Sequence, residues 1–253
     1  MDADVSNDIL MSSSALGMFS TCEISDALIK LGVPHGGHIP DIHLVSSLSS
    51  SARICGPAYT VRMVFMSDKD APRLSTHFVD TAPAGSIIVI DAPSRSVFLS
   101  RFLYFIPHIH LGRLEAKNAV WGGLMTAGAQ ARSAIGVIIS GRCRDVAEHR
   151  ALQFPVFARG TSTLGQFSFT RASQVNTTLL IKSQGEGDAL PAVTVRPGDW
   201  IVADEDGVVC VAHDLESQVI ELATEGRRTD ELCMIDIKAG KGIQSAFEAH
   251  RGR

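Results

Sequence analysis

The sequence has no long apolar run, no cluster of basic residues and no closely spaced cysteine pair. Each absence removes a class of protein. The longest apolar stretches, Ile87-Ile88-Val89-Ile90 and Val137-Ile138-Ile139, fall far short of the roughly 20 residues a helix needs to cross a bilayer core, so they read as buried strands. Charge is nearly balanced, 23 basic against 27 acidic side chains for a net −4. That balance, with no Lys/Arg stripe to displace phosphate counterions, argues against non-specific nucleic-acid binding. Five cysteines, Cys22, Cys55, Cys143, Cys210 and Cys233, form an odd set without a CxxC pair. Neither a disulfide framework nor a thiolate zinc site is expected, and reduced thiols suit a cytoplasmic protein. Met1 to Ser14 is polar and Ser-rich, lacks the basic and apolar segments of a signal peptide, and is expected to be flexible. No GxSxG elbow, GxxxxGK[ST] loop, HExxH helix or internal repeat is present, which removes support for the enzyme classes built on them.

What is present is a chain of 253 residues, 45% hydrophobic, long enough to bury a core without covalent staples. Residues 15 to 253 are read as one domain with a C-terminal helical extension. Ser20-Thr21-Cys22-Glu23 predicts a capping box, and Ile24, Ala27, Leu28 and Leu31 then share one helical face that Gly32 closes. Residues 32 to 51 read as loop with one short strand. Arg53 to Met66 predicts a strand entered through a bend at Gly56-Pro57, and a short helix is expected over Ala71 to Thr81. Ser86 to Asp91 predicts a buried strand delivering a carboxylate to its end. Residues 92 to 118 read as a variable insertion, since Pro107 and two histidines interrupt its apolar pattern.

Trp121-Gly122-Gly123-Leu124-Met125 then leads into an Ala-rich helix, and Gly136 to Gly141 predicts a second buried strand. A short helix over Val146 to Leu152 and a strand over Phe154 to Ala158 suggest a parallel crossover. Further strands are expected over 177–182, 192–195, 200–203 and 208–211, with Asp206-Gly207 marking a hairpin between the last two. Asp204-Glu205-Asp206 reads as its solvated tip. A long helix from Asp214 to Gly226 and a second helical stretch close the chain. Alternating strands and helices give an α/β fold.

Two groups of residues have the chemistry of a site. The Gly122-Gly123 turn opens a helix whose first amides and dipole favour an anion, although a tight turn alone would also use glycine there. Arg144-Asp145 stands at the carboxyl end of a buried strand, where open α/β sheets gather ligands. The guanidinium can fork onto a carboxylate, and the carboxylate can hold a hard divalent cation that keeps most of its waters. A surface ion pair, or an N-cap formed by Asp145, fits the same two residues. Arg142 competes with Arg144, because alternation does not separate them. Asp91 is a further carboxylate candidate, while His108-Ile109-His110 lacks a third metal ligand and reads as incidental.

Taken in order, Trp121 to Met125, Gly136 to Gly141, Arg144-Asp145, Phe154-Pro155-Val156-Phe157-Ala158-Arg159-Gly160, Pro197-Gly198-Asp199-Trp200 and Ala203 to Val209 resemble the regulator of ribonuclease activity A-like family. The resemblance spans Ser20 to Gly242. That family includes 4-hydroxy-4-methyl-2-oxoglutarate aldolases and oxaloacetate decarboxylases, and many members were long labelled menaquinone methyltransferases. It implies a compact swivelling β/β/α-type domain with a central mixed sheet flanked by helices, assembled as a homotrimer or hexamer with active sites between subunits. It also implies substrate binding at Gly122, Gly123, Leu124 and Met125, catalysis by Arg144, which would bind the substrate and a metal-bound water, and a Mg²⁺, Mn²⁺ or other divalent ion on Asp145. The interval 144 − 122 = 22 agrees with the family pattern.

Two departures stand out. Several characterised aldolases carry an acidic residue where this chain has Gly123, and the insertion from Ser94 to Asn118 is longer than in the short bacterial forms. The expected activity is metal-dependent carbon–carbon cleavage of a small 2-oxo dicarboxylic acid, either decarboxylation of oxaloacetate or aldol cleavage to pyruvate. No Schiff-base lysine is needed, and neither Lys117 nor Lys182 sits in a recognisable catalytic context. Glu221, Glu225 and Glu231 are candidates for a neighbouring subunit's contribution. The alternatives are a non-catalytic regulator that binds a ribonuclease or helicase, and an enzyme of specialised metabolism with a changed substrate.

Overall fold

The computed structural model describes residues 14–46, 53–98, 110–183 and 191–252. The expected flexible N-terminus, the tip of the insertion and His108 lie outside them, apart from Ser14, whose side chain accepts from the Leu16 amide. In chain order the elements are α1 (Thr21–Lys30), β1 (His43–Leu44), β2 (Ile54–Phe65), β3 (Ile87–Asp91), β4 (Ser94–Phe98), β5 (His110–Glu115), β6 (Ala119–Trp121), α2 (Gly123–Ala131), β7 (Gly136–Cys143), α3 (Val146–Ala151) and β8 (Val156–Thr161). They continue with β9 (Thr170–Val175), β10 (Leu179–Ile181), β11 (Val193–Val195), β12 (Trp200–Asp204), β13 (Gly207–Val211), α4 (Glu216–Lys238) and α5 (Ile243–Arg251).

The central sheet runs β1-β8-β7-β3-β2-β12-β13, with β6 added to β7 and β9 to β2. Its middle strands β2, β3, β7 and β8 are parallel, and β12 and β13 return antiparallel. The segment before β1 donates from the Ile39 amide to the Val208 carbonyl and accepts from the Cys210 amide at the Gly37 carbonyl, both at 2.9 Å. The two ends of the sheet are thereby tied together, and the expected α/β fold takes the form of a nearly closed mixed sheet flanked by helices.

Burial on both faces explains the short apolar runs. In β3, Ile88 and Ile90 pack with Trp121, Val137 and Ile139, while Ile87 and Val89 pack with Ile138, Phe157 and Ile201 in a second cluster. Each strand has period two, so a strand covered on both sides is apolar throughout. Truncating one such side chain, as in Ile138→Ala, should cost about 2–5 kcal/mol. A third cluster joins α1 and α4 to Trp200, Val202, Val209 and Val211.

Helix α1 begins as its sequence predicts. Ser20 Oγ accepts from the Glu23 amide at 3.2 Å and Glu23 Oε2 accepts from the Ser20 amide at 2.7 Å. Asp204 adds to this start and is not part of a solvated tip: it is buried and takes the Thr21 amide at 3.0 Å and the Thr21 hydroxyl at 2.7 Å. A buried carboxylate needs such donors, and the helix N-terminus supplies them.

Two other expectations change. No helix forms over Ala71 to Thr81 beyond a 3-10 turn at Phe78–Thr81. The carbonyls of Asp68, Ala71 and Pro72 accept instead from the Arg171 guanidinium on β9, a strand whose polar sequence hid it. Helix α4 does not stop at Gly226 but runs on to Lys238, held by Arg227 against Glu23 of α1 at 2.6 Å and by buried Cys233. The described part of the insertion, β4 and β5, is an antiparallel hairpin.

Candidate active site

Strand β6 runs parallel to the end of β7, pairing Ala119 with Arg142 and Trp121 with Cys143. Two strand-to-helix turns therefore leave the sheet side by side. One is Gly122 into α2, and the other is Arg144-Asp145 into α3. The Arg144 amide donates to the Trp121 carbonyl at 3.0 Å, which fixes the second turn against the first.

Asp145 takes a left-handed conformation, φ 61° and ψ 42°, at the N-cap position of α3. Aspartate tolerates this region better than most residues. Its carboxylate does not cap its own helix. Instead, Asp145 Oδ2 accepts from the Gly123 amide at 3.0 Å, so it caps the neighbouring helix α2. The same oxygen lies 3.3 Å from Arg144 Nε, with side-chain exposures of 47% for the arginine and 34% for the aspartate. A pair this exposed adds little to stability, but it orients both charges toward one space.

That space is a cavity of about 360 Å³ bounded by Gly122, Leu124, Met125, Arg144 and Asp145. Of the residues expected to bind substrate, four therefore line it directly, and Gly123 is tied to it by the hydrogen bond its amide donates to Asp145. A Cβ at position 122 would lie 2.6 Å from Asp145 Oδ2, so glycine there lets the carboxylate keep its place. The structure also separates the two arginines that sequence alternation left equivalent. Arg144 faces the main cavity, while Arg142 lies in a different, smaller cleft with Asp91, Arg159 and Lys182. Asp91, there joined to the Ser140 hydroxyl at 3.2 Å, is thus placed away from the main cavity.

His77, Asp80 and Gln166 also line the main cavity and carried no motif to reveal them. His77 and Asp80 come from the segment with the 3-10 turn, and Gln166 from the loop between β8 and β9, where side-chain spacing has no period to read. Gln166 Oε1 is buried without a hydrogen-bond partner among the described residues.

A buried bridge holds α2 against α3 beneath the cavity. Trp121 Nε1 donates to Thr126 Oγ1 at 2.8 Å, and that hydroxyl meets His149 Nδ1 at 2.9 Å. Burial pushes the His149 imidazole below its ordinary value, so it favours the neutral form. Burial likewise pushes the Cys143 thiol up to about 11, making it a packing group and not a nucleophile.

A family model described as RraA-like, Aldolase/RraA, matches residues 21–210. The chain belongs to the RraA-like family. It is 28% identical over 230 residues to Protein DlpA of Legionella pneumophila, covering 90% of this chain but only 32% of that longer protein. It is 26% identical over 187 residues to a Halalkalibacterium halodurans protein named "Putative 4-hydroxy-4-methyl-2-oxoglutarate aldolase", covering 74% of this chain and 73% of the relative. The fold matches the crystal structure of RraAS2 of Streptomyces coelicolor, described as an unusual member of the RNase ES inhibitor RraA protein family, with a TM-score of 0.63 at 19% identity. That match covers 85% of this chain and 91% of RraAS2. The RraA-like match ends at β13, so α4 and α5 lie beyond it. No helix among the described residues is long and apolar enough to cross a membrane.

Proposed function

We propose that this RraA-like chain is a divalent-metal-dependent carbon–carbon lyase acting on a small 2-oxo dicarboxylic acid and releasing pyruvate. The observation that carries the reading is the convergence of Arg144 and Asp145 with the Gly122–Met125 turn on one cavity, with Asp145 held by the Gly123 amide. A relative named as an aldolase supports the reaction class.

The donor set fits a hard cation. No group of three or more His, Cys, Asp or Glu able to enclose a metal occurs among the described residues. An ion here would be held by the Asp145 carboxylate, with the open cavity leaving room for water, the arrangement that suits Mg²⁺ or Mn²⁺. Such a cation supplies Lewis acidity toward the 2-oxo acid.

The protein's own groups account for binding and charge stabilisation. The Arg144 guanidinium forks onto a substrate carboxylate, and the positive end of α2 favours the same anion. When the C3–C4 bond breaks, its electron pair passes into the enolate of pyruvate and C3 then takes up a proton; oxaloacetate releases carbon dioxide from its carboxylate, whereas in aldol cleavage the 4-hydroxyl gives up its proton to a base as C4 becomes the carbonyl of the departing fragment. In this reading Arg144, which lines the cavity, also stabilises the oxygen on which that negative charge grows. The proposed route forms no Schiff base and calls for no lysine.

Leu124, which lines the cavity, is 90% exposed, and Phe167, next in sequence to the lining residue Gln166, is 91% exposed. Apolar groups so placed suit a second copy of the chain, and we assign the working form to a homotrimer or hexamer that covers this rim. Measuring pyruvate release from oxaloacetate and from 4-hydroxy-4-methyl-2-oxoglutarate, with Mg²⁺ and with EDTA, tests the proposal. Turnover of either substrate that EDTA abolishes supports it. No metal-dependent turnover of either favours a binding protein.

A further inference from the structure

Gly123 has a neighbour that explains why it has no side chain. A Cβ built on it would lie 1.5 Å from Glu148 Oε2, 2.5 Å from Glu148 Cδ and 3.0 Å from Glu148 Cβ. The acidic side chain of Glu148 thus fills the volume directly over the Gly123 Cα. The carboxylate end of the glutamate makes the closest approaches, and its Cβ stands at 3.0 Å, so a side chain at 123 would displace the Glu148 carboxylate.

Glu148 reaches this place through helical spacing. Glu148 lies in the first turn of α3, three residues after the left-handed Asp145 N-cap, and its amide donates to the Asp145 carbonyl at 3.0 Å. Two carboxylates therefore bracket one glycine. Asp145 Oδ2 takes its amide, and Glu148 Oε2 covers its α-carbon. The sequence reading left the site one carboxylate short at position 123, and the fold supplies one from the neighbouring helix.

We propose that Glu148 is a positioning residue of the cation site, the second carboxylate beside Asp145, admitted only because residue 123 is glycine. This inference rests on the lyase reading. Glu148 is not among the residues that line the main cavity, so its negative charge acts on a divalent ion from behind the Gly123 turn, through Asp145. Residues in this supporting role typically change metal affinity by about 10–100-fold when removed.

Mn²⁺ binding, followed by electron paramagnetic resonance on the full chain, separates the possibilities without recourse to activity. Glu148→Gln keeps the shape and removes the charge, and it should weaken Mn²⁺ about tenfold or more, as should Glu148→Ala. Asp145→Ala should abolish the signal, whereas Glu205→Gln, on an exposed hairpin, should leave it unchanged. Gly123→Asp alone places two carboxylates in one volume and should be impaired, while Gly123→Asp combined with Glu148→Ala should recover binding. Recovery in the double variant shows that the two side chains share one volume, while the role of the Glu148 charge rests on the loss in Glu148→Gln, which a packing role would not produce. Wild-type affinity in both Glu148 variants, with Asp145→Ala still defective, would overturn this inference and leave the lyase reading standing. Absence of Mn²⁺ binding by the wild-type protein would overturn both.

Discussion

Asp145 Oδ2 accepts the Gly123 amide at 3.0 Å, so the carboxylate that begins one helix caps the next one. The bond locks two strand-to-helix turns together and leaves the aspartate facing the cavity. Gly122 protects this contact by having no side chain. Gly122→Ala should force Asp145 aside and lower kcat/KM at least tenfold, while the melting temperature moves by only a few degrees. Parallel kinetics and thermal melts check this, and a variant with full activity would show that the close approach is dispensable.

Arg144→Lys should lose most activity although it keeps the charge. An ammonium cannot reproduce the planar two-point contact of a guanidinium with a carboxylate. We expect kcat/KM for oxaloacetate to fall by at least about tenfold, with the larger change in KM. Steady-state kinetics at constant ionic strength would show it.

The Glu23–Arg227 pair ties α1 to α4 and has a defined acid signature. Its hydrogen bond to Arg227, opposed by burial, lowers the Glu23 carboxyl from 4.5 to about 2. A carboxylate depressed by folding stabilises the native state above its unfolded value and loses that contribution as pH falls through its folded one. The contribution is therefore complete above about pH 4.5 and gone near pH 2. Arg227→Met should cost roughly 1 kcal/mol at neutral pH, a modest figure because the pair is partly solvent-screened. Denaturant melts at pH 7 and pH 3 should show a smaller difference in the variant than in the wild type.

His149 gives a second and higher acid transition. Its imidazole is lowered from 6.5 by burial, so folding favours the neutral ring. The stability this provides is present above pH 6.5 and falls as pH drops through the lowered folded value. His149→Gln should flatten the decline in stability just below pH 6.5. Thr126→Val, which breaks the bridge from Trp121 to His149, should cost about 1–3 kcal/mol by leaving buried groups unpaired. Chemical denaturation over pH 4.5 to 8 measures both effects.

The sequence made the buried strands legible because a strand covered on both faces is apolar along its buried stretch, as Ile87–Ile90 of β3 and Val137–Ile139 of β7 are. The capping box at Ser20 was equally readable, being a local exchange of two hydrogen bonds. What escaped was long-range satisfaction of polar groups. Arg171 on β9 binds the carbonyls that a helix over Ala71 to Thr81 would have used, and Asp204 caps α1 from across the sheet. At the site, the ordered motifs pointed to Gly122–Met125, Arg144 and Asp145, which the fold brings together. Glu148 was invisible, since an exposed helical glutamate has no distinguishing spacing until the glycine beneath it is seen. Arg142 and Arg144 could be told apart only once the strand end bent into the Asp145 turn.

The most direct test of the account compares wild-type protein with Asp145→Asn for Mg²⁺-dependent pyruvate release from oxaloacetate, after subtracting the spontaneous rate. The asparagine keeps size and removes the charge that would hold the cation. The account predicts turnover in the wild type that EDTA abolishes, and a loss of at least about a hundredfold in the variant. Equal metal-dependent rates in the two proteins would contradict it.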